Sequence, residues 1–352
     1  MSDTSVAFLK QLLTIPSPSS EEAAAARLWR NEAEQFADTV YADVRGSSFA
    51  VLNGSGPRVM LAGHIDEIGL MVSYIDDEGY LFFSGVGGWD SQVLVGQRVR
   101  LVGRTGEVIG VIGKKAIHLM KTEERDRVSK IDDLWIDIGV KNRDEANALV
   151  RVGSVGVIDG PVYEFPHGRI VSRGLDNRIG AYTVLEALRL LAADRPQATV
   201  AAVATSQEEI TFAGAYTAAF SFDPQVAIIV DVTHATDSPG SDKRHSGDVK
   251  LGGGPVIDRG SAVSPVVFDM LVGIAEREGI PHTVTISPGR TGTDADAINL
   301  IRGGVACGLV SIPNRYMHSP SEMIALEDVQ NAARLIAAFV REIGADTSFV
   351  PR

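Results

Sequence analysis

The chain has 352 residues, of which 45% are apolar and 22% charged, a composition typical of a globular protein with a full core. Its formal net charge of −12 excludes proteins that bind nucleic acid or an anionic membrane surface by charge, because both need a basic face. The single cysteine, Cys307, excludes an internal disulfide and a zinc site built from thiolates. Any metal ion would therefore need His, Asp and Glu ligands.

The N-terminal region predicts two helices and two short strands. The first helix runs from Thr4 to about Thr14, where two prolines end it, and the second is rich in strong helix formers. The second strand, in 58–66, is a nearly continuous apolar run that ends at a polar cluster. Open α/β sheets place their sites at such carboxyl ends. Residues 1–20 lack the basic segment of a signal peptide, and no apolar run reaches the roughly 18 residues of a membrane span, so we expect a cytoplasmic protein without membrane contacts.

The middle of the chain has a different pattern. Short β-rich stretches separated by Gly, Asp and Asn turns predict a compact β domain inserted at 67–163. After Arg169 strands and helices alternate again, beginning with a helix after Asp176 that carries one apolar stripe. The simplest organisation is one α/β domain built from 1–66 and 164–352 and interrupted by the insert.

Metal-capable side chains lie where several predicted elements end. They are His64 with Asp66, Asp176, Glu208 with Glu209, Asp231, and His318. Each alone fits a structural histidine, a helix cap or a solvated turn, but an α/β sheet brings strand ends together at one edge. Imidazoles and carboxylates without thiolates suit Zn, Co or Mn, and a pair of ions needs a carboxylate that bridges both. The pattern therefore predicts a metal site.

The local surroundings of three acidic positions support this prediction. Asp231 lies in an apolar strand, where a carboxylate is costly unless it is paired or coordinated. Glu208 and Glu209 follow another such strand, so one could bind metal while the other acts as a base; a solvated turn is the alternative. We expect Asp66 to lie behind the site, where it would orient a ligand.

Six segments in this order resemble a known family: GHIDEIGLMV at 63–72, SRGLDNRIG at 172–180, SQEEI at 206–210, IIVDVTHATDSPG at 228–240, GRTGTDADAI at 289–298 and IPNRYMHSPSE at 312–322. Together they resemble the tetrahedral (TET) dinuclear metallo-aminopeptidases, the family that includes glutamyl aminopeptidase. The resemblance covers nearly the whole chain. It implies an α/β/α sandwich with a mixed sheet and an inserted small β-barrel-like domain.

The resemblance also implies a set of metal ligands. His64 and Asp231 would hold one ion, and Glu209 and His318 the other. Asp176 would bridge them. Zn or Co would be the expected ions, two in each subunit, with no other cofactor.

Two further residues receive roles from the resemblance. Glu208 would be the general base, and Asp66 would support His64. The chain departs from the family at Ala116, where a proline is usual, and at Arg290 and Thr291, which precede a Gly-Thr-Asp segment. The second departure lies near the substrate in relatives, so substrate preference transfers less well than the chemistry.

The expected function is release of N-terminal amino acids from short peptides by a water activated between two metal ions. The resemblance further implies that the insert mediates dimers and that these dimers build a tetrahedral dodecamer. The alternatives are another dinuclear metal amidohydrolase on the same scaffold, or a non-catalytic assembly protein. Relatives have also been labelled endoglucanases, but a glycosidase needs a carboxylate pair and no histidine ligands.

Overall fold

The computed structural model describes residues 3–351, so positions 1, 2 and 352 of the expected catalytic domain lie outside the described residues. The helices are α1 Asp3–Thr14, α2 Ala23–Ala33, α3 Thr122–Arg125, α4 Arg143–Leu149, α5 Leu175–Ala193, α6 Glu208–Thr211, α7 Ala213–Phe222, α8 Lys243–Ser246, α9 Pro265–Arg277, α10 Ala295–Ile298 and α11 Leu326–Arg341. Short 3₁₀ helices occupy Ser91–Val93, Ile117–Leu119 and Ile131–Asp133. None of the described helices is both long and apolar enough to cross a lipid bilayer.

The strands of the chain form two sheets and a barrel. They are β1 Thr39–Ala42, β2 Ser48–Leu52, β3 Arg58–His64, β4 Gly69–Ile75, β5 Leu81–Val86, β6 Arg98–Val102, β7 Glu107–Gly113, β8 Trp135–Asp137, β9 Val155–Ile158, β10 Tyr163–Phe165, β11 Arg169–Ser172, β12 Thr199–Thr205, β13 Val226–His234, β14 Val256–Gly260, β15 Thr283–Ser287, β16 Ala306–Asn314 and β17 Glu322–Ala325.

The predicted α/β class is confirmed by a mixed eight-stranded sheet in the order β1-β2-β12-β3-β13-β16-β14-β15. The four central strands run parallel, whereas β2 and β14 pair antiparallel with β12 and β16. Successive residues of β3 enter opposite cores: Leu61 packs with the layer of α5 and α11, and Met60 with the layer of α7 and α10. The parallel strands therefore end at one edge between two helical layers.

Helix α5 differs from the prediction of a single apolar stripe. Its residues 175–188 are all buried, because one side packs on the sheet and α11 covers the other. Its position after β11 brings Asp176 to the carboxyl ends of the central strands.

The β-rich middle of the chain closes into a barrel in the order β4-β5-β8-β7-β6-β9, as the β-barrel-like prediction required. Leu70, Val99, Leu101 and Ile136 lie in a core separate from those of the large sheet. A small sheet, β10-β11-β17, lies where the chain returns from the barrel. In it Ser172 pairs with Glu322, directly before the first turn of α5.

Candidate metal centre

Three buried side chains form a cluster at the carboxyl edge of the large sheet. His64 ends β3, Asp231 lies near the end of the parallel neighbour β13, and Asp176 comes from the first turn of α5. Nε2 of His64 lies 3.3 Å from Oδ1 of Asp176 and 3.9 Å from Oδ1 of Asp231. One ligand atom from each residue lies within 4.8 Å of the others, as a bound cation requires. We call these three residues the inner group.

A second cluster uses Asp176 again. Nε2 of His318 lies 3.2 Å from Oδ2 of Asp176 and 3.4 Å from Oε2 of Glu209. Glu209 belongs to α6, and His318 lies in the loop between β16 and β17. We call Asp176, Glu209 and His318 the outer group, because its side chains are less enclosed. Asp176 directs one oxygen towards each group, which is the arrangement of a bridging carboxylate.

Irregular backbone places these ligands. Gln207, directly before α6, and His318 adopt left-handed conformations with φ of 57° and 58°. Asp176 and Asn177 are joined by a cis peptide bond, and the Asn177 side-chain amide donates to the Val230 carbonyl at 2.8 Å. This hydrogen bond ties the first turn of α5 to β13, one residue before Asp231.

Asp66 lies behind both groups. Its Oδ1 is 3.4 Å from Nδ1 of His64. The same carboxylate accepts hydrogen bonds from the backbone amides of Glu208 and Glu209 at 3.1 and 3.3 Å, and from the Ser19 hydroxyl at 2.6 Å. Asp66 therefore positions the start of α6 as well as His64, a second contact that the sequence did not indicate.

The pKa shifts of the acidic side chains and of His318 are those expected where several carboxylates are gathered to bind a cation. Burial raises the pKa of Glu208 and of Asp231 well above the ordinary range, and it raises the pKa of Glu209 to about 7. Hydrogen bonds with Asp176 and Glu209 raise the pKa of His318 to about 11. Buried carboxylates therefore hold a proton on the imidazole, in the position where a metal ion would supply positive charge.

The pKa shifts of Asp176 and His64 also fit a site that binds cations. Burial opposes ionisation of Asp176, but hydrogen bonds from His318 and then His64 hold its pKa below the ordinary value. Burial likewise opposes charge on His64, yet Glu208, Asp176 and Asp66 raise its pKa well above the usual range. In addition, Oε1 of Glu209 is buried without a hydrogen-bond partner. This donor set fits two divalent cations that share one carboxylate.

A cavity of about 360 Å³ opens on these side chains. Glu208, Ile210, Phe212 and Met317 line it together with the ligand candidates, and no Lys or Arg of the described chain does. Oε2 of Glu208 lies 3.6 Å from Nε2 of His64, although Glu208 belongs to neither ligand group. A larger cavity of about 850 Å³, beside 299–306, contains none of the candidate ligands.

The structure thus brings together all seven residues singled out in the sequence: His64, Asp66, Asp176, Glu208, Glu209, Asp231 and His318. His234 lines the cavity but belongs to neither ligand group.

The sequence did not indicate three further residues that support the metal centre. Asp294, buried with Oδ1 unpartnered, accepts a hydrogen bond from Thr205, the residue that ends β12. Glu322 accepts hydrogen bonds from the backbone amides of Asp176 and His318. The third contributor is Gly88, which the barrel brings against the His318 side chain. A Cβ on Gly88 would lie 3.2 Å from Nδ1 of His318, so the barrel forms one wall of the outer group. Asp294 and Glu322 lie in the segments that carry the resemblance, which was their only signal.

Comparisons with known proteins identify a family model and several relatives that match most of the chain. A family model described as M42 glutamyl aminopeptidase matches residues 46–335. The chain is 36% identical over 340 residues to a lysyl aminopeptidase of Pyrococcus furiosus, and the match covers 96% of each chain. The solved structure of a TET aminopeptidase from a marine sediment archaeon of the Thaumarchaeota matches with a TM-score of 0.93 at 34% identity and 97% coverage of each chain. The TET1 peptidase of Pyrococcus horikoshii, described as assembling into a tetrahedron or a large octahedral shell, matches with a TM-score of 0.85 at 32% identity, over 96% of this chain and 99% of that one.

Proposed function

The chain belongs to the M42 glutamyl aminopeptidase family, and we therefore propose that it is a metal-dependent aminopeptidase that releases N-terminal residues from short peptides. The observation that carries the proposal is the pair of ligand groups joined by Asp176, with Glu208 facing the same cavity. We assign one divalent ion to each group. Zn and Co are the ions we expect, because the donors are imidazole and carboxylate without thiolate.

When bound, the ions supply Lewis-acid polarisation of the scissile carbonyl and a water molecule of lowered pKa. Glu208 lies in the cavity beside His64 without being needed as a ligand, and its buried carboxylate has a raised pKa. A base with raised proton affinity can take a proton from the attacking water and return it to the leaving amine. Glu208 is therefore our candidate for the proton carrier.

The lining of the cavity suits a peptide N-terminus. Carboxylates face the cavity, and among the described residues no Lys or Arg does, so a free α-amine can approach these carboxylates and the ions they would hold without meeting a protein cation. A bond inside a long peptide has no free amine nearby to make this contact. The site should therefore act on the first peptide bond.

We further propose that the insert at 67–163 is an assembly domain. Its barrel exposes Tyr74, Ile109 and Val111, which are apolar side chains that a partner would cover. The Pyrococcus horikoshii relative is described as assembling into a tetrahedron or a large octahedral shell, and a similar solved structure is described as a dodecamer, which supports a dimer that builds a tetrahedral dodecamer. Analytical ultracentrifugation tests this: the dodecamer is the expected species, and a monomer at micromolar concentration would rule it out.

The cytoplasmic location stays a prediction.

Matched amide substrates test the proposed activity. We expect hydrolysis of aminoacyl-p-nitroanilides with a free amine, no hydrolysis of the same compounds after N-acetylation, and loss of activity after chelation with recovery on adding Zn or Co. Faster hydrolysis of the acetylated compounds would favour a different amidohydrolase. A fully metal-loaded protein that cleaves none of the panel would favour an assembly role.

A further inference from the structure

Glu322 is a buried carboxylate that connects two ligand residues through their main chains. It begins β17 and is 2% exposed. Its Oε2 accepts a hydrogen bond from the backbone amide of Asp176 at 3.0 Å, and its Oε1 accepts one from the backbone amide of His318, also at 3.0 Å. Among the described residues no Lys or Arg forms an ion pair with Glu322, so these two amides are its partners.

Neither amide is hydrogen-bonded within a regular helix or strand. Asp176 lies in the first turn of α5 with a non-helical ψ of 106°, and His318 is left-handed with φ of 58°. The Asp176 amide is buried and the His318 amide is partly buried, so both need an acceptor, and neither residue lies in a strand that would provide one. Glu322 satisfies both with a single side chain.

Glu322 is itself fixed on two sides. Across the small sheet it pairs with Ser172 of β11, four residues before Asp176. On the other side, Arg315 and Met323 exchange backbone hydrogen bonds of 3.0 Å, which close the loop that contains His318. The carboxylate therefore joins this closed loop to the turn that carries Asp176. The consequence is visible at the side chains, where Nε2 of His318 and Oδ2 of Asp176 lie 3.2 Å apart.

We propose that Glu322 is a positioning residue that sets the spacing between Asp176 and His318 and so prepares the outer group for its metal ion. The inference rests on the proposed metal-dependent function. The chemistry requires a carboxylate, because two oxygens can accept two amides, whereas a glutamine offers one oxygen and an amino group that would face the second donor. Glu322 contacts two of three outer ligands but only the shared one of the inner group, so its loss should weaken the outer ion more.

The chain contains a matched control. Asp328 on α11 is also fully buried, and it too accepts two backbone amides, from Gly252 at 2.8 Å and from Gly254 at 2.7 Å. Those partners belong to the segment before β14, which contains no candidate ligand. Asp328→Asn therefore removes the same kind of contact without touching the metal site.

The test is a cobalt titration of the metal-free full-length protein, followed by calorimetry and by the visible absorption of bound Co²⁺. Wild type should bind two ions per subunit. We expect the outer group to be the weaker of the two sites. In Glu322→Gln its affinity for Co²⁺ should fall by about 10- to 100-fold and its absorption bands should change, while the affinity of the inner group changes less. Asp328→Asn should melt at a lower temperature but keep both affinities within about twofold of wild type.

A Glu322→Gln protein with lowered thermal stability but wild-type affinities and spectrum would overturn the inference, since Glu322 would then behave like Asp328. If this variant does not fold, Glu322→Asp carries the test: it keeps two oxygens on a shorter side chain, and wild-type affinity for both ions would again contradict the proposal. A wild-type protein that binds no ion would instead remove the proposed function, so the two failures are distinguishable.

Discussion

The inner and outer groups share Asp176 but are built in different ways. The inner group takes His64 and Asp231 from adjacent parallel strands, and all its members are buried. The outer group takes Glu209 from a four-residue helix and His318 from a loop, and the His318 side chain is 35% exposed. Its position also depends on the barrel, through Gly88, and on Glu322.

The inner group is therefore a preformed site, whereas the outer group is adjustable. The sheet register fixes the inner ligands, because moving either would disturb the central strands. The outer ligands depend on a few hydrogen bonds in loops, which open more easily than strands of a core. We therefore expect the inner group to bind its ion more tightly, and the outer ion to be the one that chelators remove first. Equal affinity at the two sites, or loss of the inner ion first, would show that the inner group is not more preformed than the outer group.

Removing the shared ligand should have the largest effect. Asp176→Asn keeps the size of the side chain but leaves one oxygen, so it cannot bridge two ions. We expect activity to fall below detection and the metal content to fall at both groups, measured by elemental analysis of the purified variant. Loss of a single ion would show that Asp176 serves only one group.

The next largest effect should come from the base. Glu208→Gln keeps the shape of the side chain but removes its ability to take a proton. We expect kcat to fall by about 10²- to 10⁴-fold, while both ions remain bound. Near wild-type turnover in a correctly loaded Glu208→Gln protein would remove Glu208 from this role.

A smaller effect should follow Asp66→Asn. The amide would keep one acceptor oxygen for three hydrogen-bond donors, two backbone amides and the Ser19 hydroxyl, and would lose the negative charge 3.4 Å from the His64 ring. We expect metal affinity to fall by about 10- to 100-fold. Because Asp66 contacts His64 and also the amide of Glu209, both groups should weaken. An effect confined to the outer ion would mean that the contact with His64 is unimportant.

Acid pH should weaken metal binding by a predictable amount. In the metal-free protein Asp176 and Glu209 raise the pKa of His318 to about 11, so its imidazole is protonated at neutral pH. An ion must displace that proton, and apparent affinity should rise with pH by about tenfold per unit for each proton released. Proton release on metal addition in weakly buffered solution measures this directly. Affinity that is flat between pH 6 and 8 would mean that His318 is already neutral.

The inner group was the more predictable part of the site. His64 and Asp231 follow long apolar runs, and parallel strands end at one edge, so their proximity follows from fold class. The barrel was likewise visible in the spacing of short strands and turns. Glu322 was different, because its partners are backbone amides whose positions depend on the non-helical conformation of Asp176 and on the left-handed His318. No residue pattern near Gly88 indicated that the insert would contact His318.

Anomalous diffraction from crystals loaded with zinc or cobalt would locate the bound ions and so test whether Asp176 joins two metal sites. We predict two metal peaks in each subunit, roughly 3.5–4 Å apart, one bound by His64 and Asp231, the other by Glu209 and His318. Asp176 should contact both, and Glu208 should contact neither. A single peak, or two peaks of which only one touches Asp176, would contradict the proposed pair of ions bridged by Asp176.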